Sequence, residues 1–175
     1  YVILLAAGHG SVRESVNFDT VLHTGVNEFI SSKELQIDCE RQTIIMDVCR
    51  SVAFDVSNRK TSLESFRAKL ESHVIMDSLQ PSREDYKRQF NKQLLSSPRG
   101  YFKFYSCDTN ESASDQPSYT QALLEAGLSN STKSILKTHN NAIPIIKNAN
   151  PQQNPQSNTG RTLEENTPIF SLRLI

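Results

Sequence analysis

The sequence predicts an α/β domain built on a mostly parallel sheet. Two short apolar runs, Tyr1–Ala6 and Thr43–Met46, have the length and composition of buried strands. A third run, Tyr101–Ser106, is aromatic and nearly alternating, which is typical of a strand. Helical patterns lie between the second and third runs and after the third. Strands that alternate with helices indicate parallel pairing through right-handed crossovers.

Length and composition indicate one domain over residues 1–175. The chain is 37% hydrophobic and 22% charged, with a formal net charge of zero, which is ordinary for a soluble globular chain with a real core. The sequence has no long basic run to indicate nucleic acid binding, and no apolar stretch approaches the ~20 residues of a membrane span. Three cysteines without metal-ligand spacing favour a reducing, cytoplasmic location over a disulfide scaffold.

Between the first two strands the sequence predicts a loop and then a short helix. Residues 11–30 mix polar and apolar side chains without a clear period, so we expect a loop with room for a short hairpin. Ser31 followed by Glu34 is a capping-box pattern, which predicts a short helix that packs Leu35 on the sheet. The unit would then be strand, helix, strand, with parallel strands.

Residues 52–100 are predicted to form a helical insertion between the two halves of the domain. A capping pattern at Thr61 precedes apolar residues at helical spacing, and Ser82 begins a second helix that ends before Pro98.

After the third strand the patterns predict five segments. In order, these are a helix from Ser118 to about Gly127, two weaker helical stretches at 131–137 and 141–147, a long polar loop at 150–168, and a last strand at 169–175.

Two reactive side chains are predicted to meet at one edge of the sheet. Cys49 follows the second apolar strand, and His9 follows the first, between two glycines. Ligands bind at the carboxyl ends of the strands in open α/β sheets, so neighbouring strands would bring the imidazole and the sulfur together there. A thiolate with an imidazole that carries protons is an arrangement for acyl transfer. Asp47, two residues before Cys49, would add a carboxylate on the same side.

Gly8-His9-Gly10, followed about forty residues later by Asp47-Val48-Cys49-Arg50, resembles the caspase-like cysteine peptidases. The Asp-x-Cys form is similar to metacaspases and paracaspases, and the Cys-Arg pair is most similar to paracaspases and their bacterial relatives. Residues 105–123 resemble the next strand, acidic loop and helix of that family. The resemblance implies a three-layer caspase-like fold with helices on both faces of the sheet. Two strands and helices that precede the histidine strand in such domains are missing, so we expect an N-terminally incomplete domain.

The resemblance also implies a role for each site residue. His9 and Cys49 would be catalytic, and the backbone N–H groups of Gly10 and Cys49 would hold the oxyanion. Asp47 would bind an Arg or Lys side chain before the scissile bond, with Asp115 as a second substrate-binding candidate. One departure weakens the implied preference for Arg or Lys before the scissile bond. Where metacaspases tend to have Ser two residues before the histidine, this chain has Ala7.

Each of these residues also has a plain structural interpretation. Cys49 could be a core cysteine, His9 a structural histidine, and Asp47 a loop carboxylate. An exposed acidic loop would explain Asp115 and its acidic neighbours Asp108 and Glu111. The remaining cysteines, Cys39 and Cys107, are predicted to be core residues, and the remaining histidines, His23, His73 and His139, to lie on the surface. Three basic loop residues are candidate points of activating self-cleavage: Arg59, Lys60 and Arg99.

These patterns predict a cysteine endopeptidase that cleaves a protein or peptide after Arg or Lys, and analogy with bacterial relatives links it to cell death or defence. A caspase-like interaction or regulatory module with little catalysis is the alternative, and a cysteine hydrolase of small esters or amides is a third interpretation. Calcium is the single cofactor that the resemblance raises, and no residue cluster supports it. A homodimer, or a larger complex that supplies the missing part, is the expected assembly.

Overall fold

The computed structural model describes residues 1–25, 28–51, 81–128 and 131–172. In chain order, the elements are β1 (Val2–Gly8), β2 (Gly10–Arg13), β3 (Asp19–His23), β4 (Phe29–Ser31), β5 (Arg41–Val48), α1 (Arg83–Ser96), β6 (Gly100–Tyr105), α2 (Tyr119–Gly127), β7 (Lys133–Ser134), α3 (Ile135–Ala149), β8 (Gln156–Asn158) and β9 (Ile169–Ser171). Short 3-10 helices cover Glu14–Val16 and Glu164–Asn166. The fold is α/β, with a mixed, mostly parallel central sheet and three helices among these residues.

The central sheet has the strand order β1-β5-β6-β8. Strand β5 pairs in parallel with both β1 and β6, and β8 closes the sheet in the antiparallel direction. All eight residues of β5 are buried, as expected of a strand with a neighbour on each side and a covered surface on both faces. The three strands predicted from the apolar and aromatic runs are therefore confirmed.

The two faces of the sheet carry different layers. On one face, Ile45 and Phe104 pack against α2 and α3 in the larger hydrophobic cluster. On the other face, Ile44, Met46 and Val48 form a smaller cluster that includes Leu22 of β3 and the turn residue Leu35. A three-stranded antiparallel sheet of β2, β3 and β4 supplies this second layer. In the part of the chain that the structure describes, helices cover one face, so the expectation of helices on both faces is met on one side only.

The helix predicted from Ser31 is wrong, although its capping-box hydrogen bonds are present. The Ser31 N–H donates to Glu34 Oε2 at 2.8 Å, and the Glu34 N–H donates to Ser31 Oγ at 3.3 Å. The chain nevertheless makes only a turn, because the buried Gln42 side chain takes the next backbone groups. Its Nε2 donates to the Leu35 carbonyl at 2.7 Å, and its Oε1 accepts a hydrogen bond from the Ile37 N–H at 3.1 Å. The β1–β5 crossover thus holds a small sheet over the residues expected to form a loop with a short hairpin, and a turn in place of the helix expected from Ser31.

The later helices follow their predicted start signals. Ser82 caps α1 and Ser118 caps α2, each with a complete capping box. The two predicted stretches after α2 are one continuous helix, α3, which Ser134 caps and which accommodates Pro144. The predicted polar loop contains β8, and β9 confirms the start of the last strand. The helix predicted from Thr61 lies outside the described residues.

Candidate active site

The register of β1 and β5 brings His9 and Cys49 to the same edge of the sheet. Gly8 and Val48 are the last pair of this parallel ladder, and His9 and Cys49 are the next residue of each strand. Both side chains are half-buried, so neither is sealed inside the core. Cys49 is not part of a disulfide. The edge is the carboxyl edge of the parallel strands, where open α/β sheets bind ligands.

The two glycines around His9 have separate structural reasons. Gly8 has a φ of +144°, a conformation that favours glycine. It ends β1, and with His9 as the single residue between them the chain enters β2 of the small sheet at Gly10. Gly10 lies directly against β5: a Cβ there would be 2.6 Å from Val48 Cβ and 2.7 Å from the Val21 carbonyl oxygen. The Gly-His-Gly motif therefore places His9 where the small sheet touches the residue before Cys49.

Hydrogen bonds from Ser106, the residue directly after β6, hold the chain just before Cys49. The Ser106 hydroxyl donates to the Val48 carbonyl at 2.8 Å, and the Ser106 N–H donates to the Met46 carbonyl at 3.0 Å. Ser106 is in turn held by the buried Gln153, whose side-chain amide N–H donates to the Ser106 carbonyl at 2.7 Å. The position of Cys49 thus depends on a residue about a hundred positions later in the chain, which local patterns do not reveal.

Arg50, the residue after Cys49, joins three parts of the molecule. Its Nε donates to Thr20 Oγ1 at 2.8 Å in β3, and its Nη1 donates to the Cys107 carbonyl at 3.2 Å beyond β6. The guanidinium lies 4.3 Å from the centre of the Tyr105 ring. The backbone of Arg50 pairs with the acidic loop, donating to the Glu111 carbonyl at 3.0 Å. The planar donor fork of arginine suits such a multi-sided contact, and the turn that carries Cys49 is fixed by it.

Asp47 lies on the helix-covered face of the sheet and is 5% exposed. Its Oδ2 accepts two hydrogen bonds from Thr120 in α2, from the N–H at 2.9 Å and from the hydroxyl at 2.8 Å. Ala7, which pairs with Asp47 in the β1–β5 ladder, is exposed beside it. Asp47 is therefore a buried carboxylate at a helix N-terminus, where negative charge is stabilised, and it lies next to an open position on the rim.

The acidic loop after β6 is only partly solvated, against the prediction. Glu111 is half-buried and bound: its Oε2 accepts the N–H groups of Asp108 at 3.0 Å and Asn154 at 2.7 Å. Asp108 is exposed and lies 3.9 Å from Arg50 as a loose ion pair. Asp115 is exposed, on the segment that leads into α2. Glu111 therefore holds the loop through hydrogen bonds, while Asp115 is exposed to solvent.

The other cysteines differ in burial, and one histidine prediction fails. Cys107 is fully buried, as predicted; burial raises its pKa to about 11, and its Sγ contacts the Glu111 carbonyl at 3.4 Å. Cys39 is half-buried. His139, predicted on the surface, is 2% exposed, because Tyr119 supplies a hydroxyl 2.6 Å from its Nδ1. Desolvation lowers the pKa of His139 to about 4, so this imidazole is neutral near pH 7.

The remaining predicted residues lie apart from the rim or outside the described ranges. His23 is half-buried, with Nε2 2.9 Å from the Ser11 hydroxyl, and desolvation together with Arg13 and His9 lowers its pKa. Arg99 is exposed and pairs with Glu40 at 2.8 Å. Three of the predicted residues lie outside the described residues: Arg59, Lys60 and His73.

Within the described ranges, no cluster of three or more His, Cys, Asp or Glu side chains is arranged to hold a metal ion. Over the same ranges, none of the helices has both the length and the apolar character to cross a bilayer. Neither the protein-family models nor the curated proteins with which the sequence was compared give a match.

The site thus offers a thiol and an imidazole on adjacent strand ends, with a buried carboxylate on the neighbouring face. Two residues that shape it, Arg50 and Thr120, were given no role of their own from the sequence. The position of Arg50 next to Cys49 was a signal for the first. For the second, the cap at Ser118 shows where the N–H groups of a first helical turn need acceptors, but it does not identify Asp47, 73 positions away, as one of them.

Proposed function

We propose that this chain is a caspase-like cysteine endopeptidase that cleaves peptide bonds after Arg or Lys. The observation that carries the proposal is the parallel register in which Gly8 pairs with Val48, so that His9 and Cys49 extend the same two strand ends. A nucleophile and a base on neighbouring strand ends are a recurring way to build covalent catalysis. The proposal includes a caspase-like fold, and the mostly parallel sheet with helices on one face supports it as far as the α/β class.

In the proposed mechanism, His9 takes the thiol proton and the Cys49 thiolate attacks the carbonyl carbon of the scissile bond. His9 then gives the proton to the leaving amine as the C–N bond breaks, which leaves an acyl-enzyme that water hydrolyses. The backbone N–H groups of Gly10 and Cys49 are the proposed oxyanion donors, each lowering the barrier by ~3 kcal/mol. The Arg50 N–H is bound to the Glu111 carbonyl, so it is not assigned to the oxyanion.

The proposed basis of recognition is the Asp47 carboxylate, with Asp115 as an outer acidic group. A guanidinium pairs with a carboxylate through two hydrogen bonds, and burial of Asp47 strengthens such a contact relative to one in water. The side chain before the scissile bond would reach Asp47 past the exposed Ala7, whose methyl group leaves space. Asp115 is exposed and would add attraction for a basic substrate without close contact.

The test is identification of cleavage products from a peptide library by mass spectrometry, for the wild type and for Cys49→Ala. We expect cleavage after Arg and Lys by the wild type and none by the variant, with unchanged circular dichroism. Equal turnover by the two proteins would rule out the mechanism. Parallel reactions with calcium and with a chelator test the calcium dependence that the resemblance raises.

The second candidate function is a caspase-like module that acts through protein contacts with little catalysis. The observation that favours it is the apolar surface of β1, where Ile3 is 45% and Leu5 is 50% exposed. An arginine-based covalent thiol probe separates the two candidates. Labelling of Cys49 by that probe, but not by a matched probe with a neutral side chain, supports the peptidase, and no labelling supports the module.

A further inference from the structure

The contact between Asp47 and Thr120 links the rim of the sheet to the first turn of α2. Both hydrogen bonds reach the same oxygen, Oδ2, one from the backbone N–H and one from the hydroxyl, at 2.9 and 2.8 Å. Asp47 is 5% exposed, so its charge needs partners in the fold. Hydrogen bonds to an ionised carboxylate are among the stronger ones, and these two fix the position of one of its oxygens.

Thr120 is itself held in one place. Ser118 caps α2 by accepting the Gln121 N–H at 3.2 Å, and the Gln121 side chain accepts the Ser118 N–H at 3.0 Å. Tyr119, the residue directly before Thr120, is fully buried. A threonine side chain has few χ1 states in a helix, because its Cβ is branched. The hydroxyl of Thr120 is therefore a rigidly placed donor, and it belongs to an element that does not carry the proposed nucleophile.

We propose that Thr120 is a specificity-determining positioning residue, which orients the Asp47 carboxylate for arginine in preference to lysine. This inference rests on the proposed function, in which Asp47 receives the basic side chain of the substrate. A guanidinium uses a planar fork, so two good hydrogen bonds require a carboxylate plane of defined orientation. An ammonium group acts as a point charge with rotatable donors and tolerates a tilted carboxylate. The orientation that Thr120 imposes thus affects arginine more than lysine.

The experiment measures kcat/KM on three peptides that differ only before the scissile bond, with Arg, Lys or the neutral isostere citrulline. Thr120→Val keeps the shape and the backbone donor but removes the hydroxyl, and Thr120→Ser keeps the hydroxyl. We expect the Arg-to-Lys ratio to fall about five- to tenfold in the valine variant, mainly through KM, and to be retained in the serine variant. Thr132→Val, at an exposed threonine before β7, is the matched control.

The ratio is taken within one protein sample, so a partly unfolded variant does not distort it. A wild type that prefers Arg over citrulline, together with an unchanged Arg-to-Lys ratio in Thr120→Val, overturns the role of Thr120 and leaves the proposed function standing. A wild type that cleaves after citrulline as well as after Arg removes Asp47 as the recognition group, and both proposals then fail. A fall in the ratio in Thr120→Ser as large as in Thr120→Val also contradicts the role of the hydroxyl.

Discussion

Two regions of this molecule hold the same pair of residue types in opposite environments. At the rim of the sheet, His9 and Cys49 are half-buried on neighbouring strand ends. In the interior, His139 and Cys107 are almost completely buried, and both have pKa values shifted toward the neutral form. The difference shows that burial and partners, rather than residue type, decide which thiol and which imidazole are available for chemistry.

The largest expected effect that tests this comparison is on thiol reactivity. At pH 7.5 a thiol with a pKa of about 11 has a thiolate fraction about two orders of magnitude below that of an ordinary thiol. Complete burial of Cys107 slows its reaction further. In a time course with iodoacetamide, followed by peptide mass spectrometry, we expect Cys49 to be alkylated first and Cys107 only after unfolding in guanidinium.

The matched variants for this measurement are Cys49→Ala and Cys107→Ala. We expect Cys49→Ala to lose the part of the fast alkylation that comes from residue 49, with the half-buried Cys39 still reactive, and Cys107→Ala to keep the fast phase unchanged. Fast modification of Cys107 in the folded protein would contradict the division between rim and interior.

The next effect is a loss of stability in acid that comes from His139. Its pKa is about 4 in the folded protein, against the ordinary value of 6.5. The unfolded chain therefore binds the proton first, so the contribution of His139 is complete above pH 6.5 and declines as the pH falls toward 4. A shift of this size corresponds to a change of roughly 3 kcal/mol in the free energy of unfolding. Urea unfolding at a series of pH values between 7 and 4 measures it.

The control for that prediction replaces both partners of the buried pair, His139→Phe with Tyr119→Phe. Substituting apolar groups of similar shape for both avoids leaving one polar group without its partner. The difference in the free energy of unfolding between the wild type and the double variant should change by about 3 kcal/mol between pH 7 and pH 4. A difference that does not vary with pH would show that His139 is not the group responsible.

A smaller effect is expected at Arg50, which connects the rim to the interior. Its side chain is 13% exposed and bonds to Thr20 and to the Cys107 carbonyl, beside the Tyr105 ring. We expect Arg50→Ala to reduce the free energy of unfolding by about 2 kcal/mol, and Arg50→Lys by less, because lysine keeps the charge but not the fork. Arg99→Ala is the control, since Arg99 is 72% exposed and its ion pair is on the surface.

If Arg50 also positions Cys49, we expect Arg50→Ala to reduce the rate of Cys49 alkylation in the fully folded protein as well. Chemical unfolding and the alkylation time course, made on the same samples, separate the two effects. Equal stability of Arg50→Ala and Arg99→Ala would contradict the role assigned to Arg50.

The sequence allowed prediction of the strands and of the placement of His9 and Cys49 after two neighbouring strand ends, because those depend on short apolar runs and on parallel neighbours. It did not allow prediction of contacts between distant segments. Gln42 ends the turn that starts at Ser31 by occupying its backbone groups, although the local capping signal is intact. His139 is buried because a tyrosine twenty residues earlier meets it. Thr120 reaches Asp47 across 73 positions, so no local pattern could reveal the contact.

A further change in stability is expected at Gly10, where the two sheets touch. An alanine Cβ would lie 2.6 Å from Val48 Cβ and 2.7 Å from the Val21 carbonyl, so one layer must move. Both neighbours are atoms of fully buried strand residues that cannot rotate away, so we expect Gly10→Ala to cost about 1–3 kcal/mol through overpacking, measured by urea unfolding. Gly25→Ala is the control, because its nearest neighbour is the far end of the flexible Glu28 side chain at 3.2 Å.

Gly10→Ala also tests the geometry of the rim, because the displaced hairpin carries His9. Under the proposed function, in which His9 is catalytic, a displacement of about 1 Å can reduce kcat/KM for peptide cleavage about a hundredfold, so we expect a loss of activity even where most of the protein stays folded. A variant that loses stability as expected but cleaves peptides at the wild-type rate would show that the position of His9 does not matter. The rim that holds His9 and Cys49 would then have no more importance for catalysis than the interior region that holds His139 and Cys107.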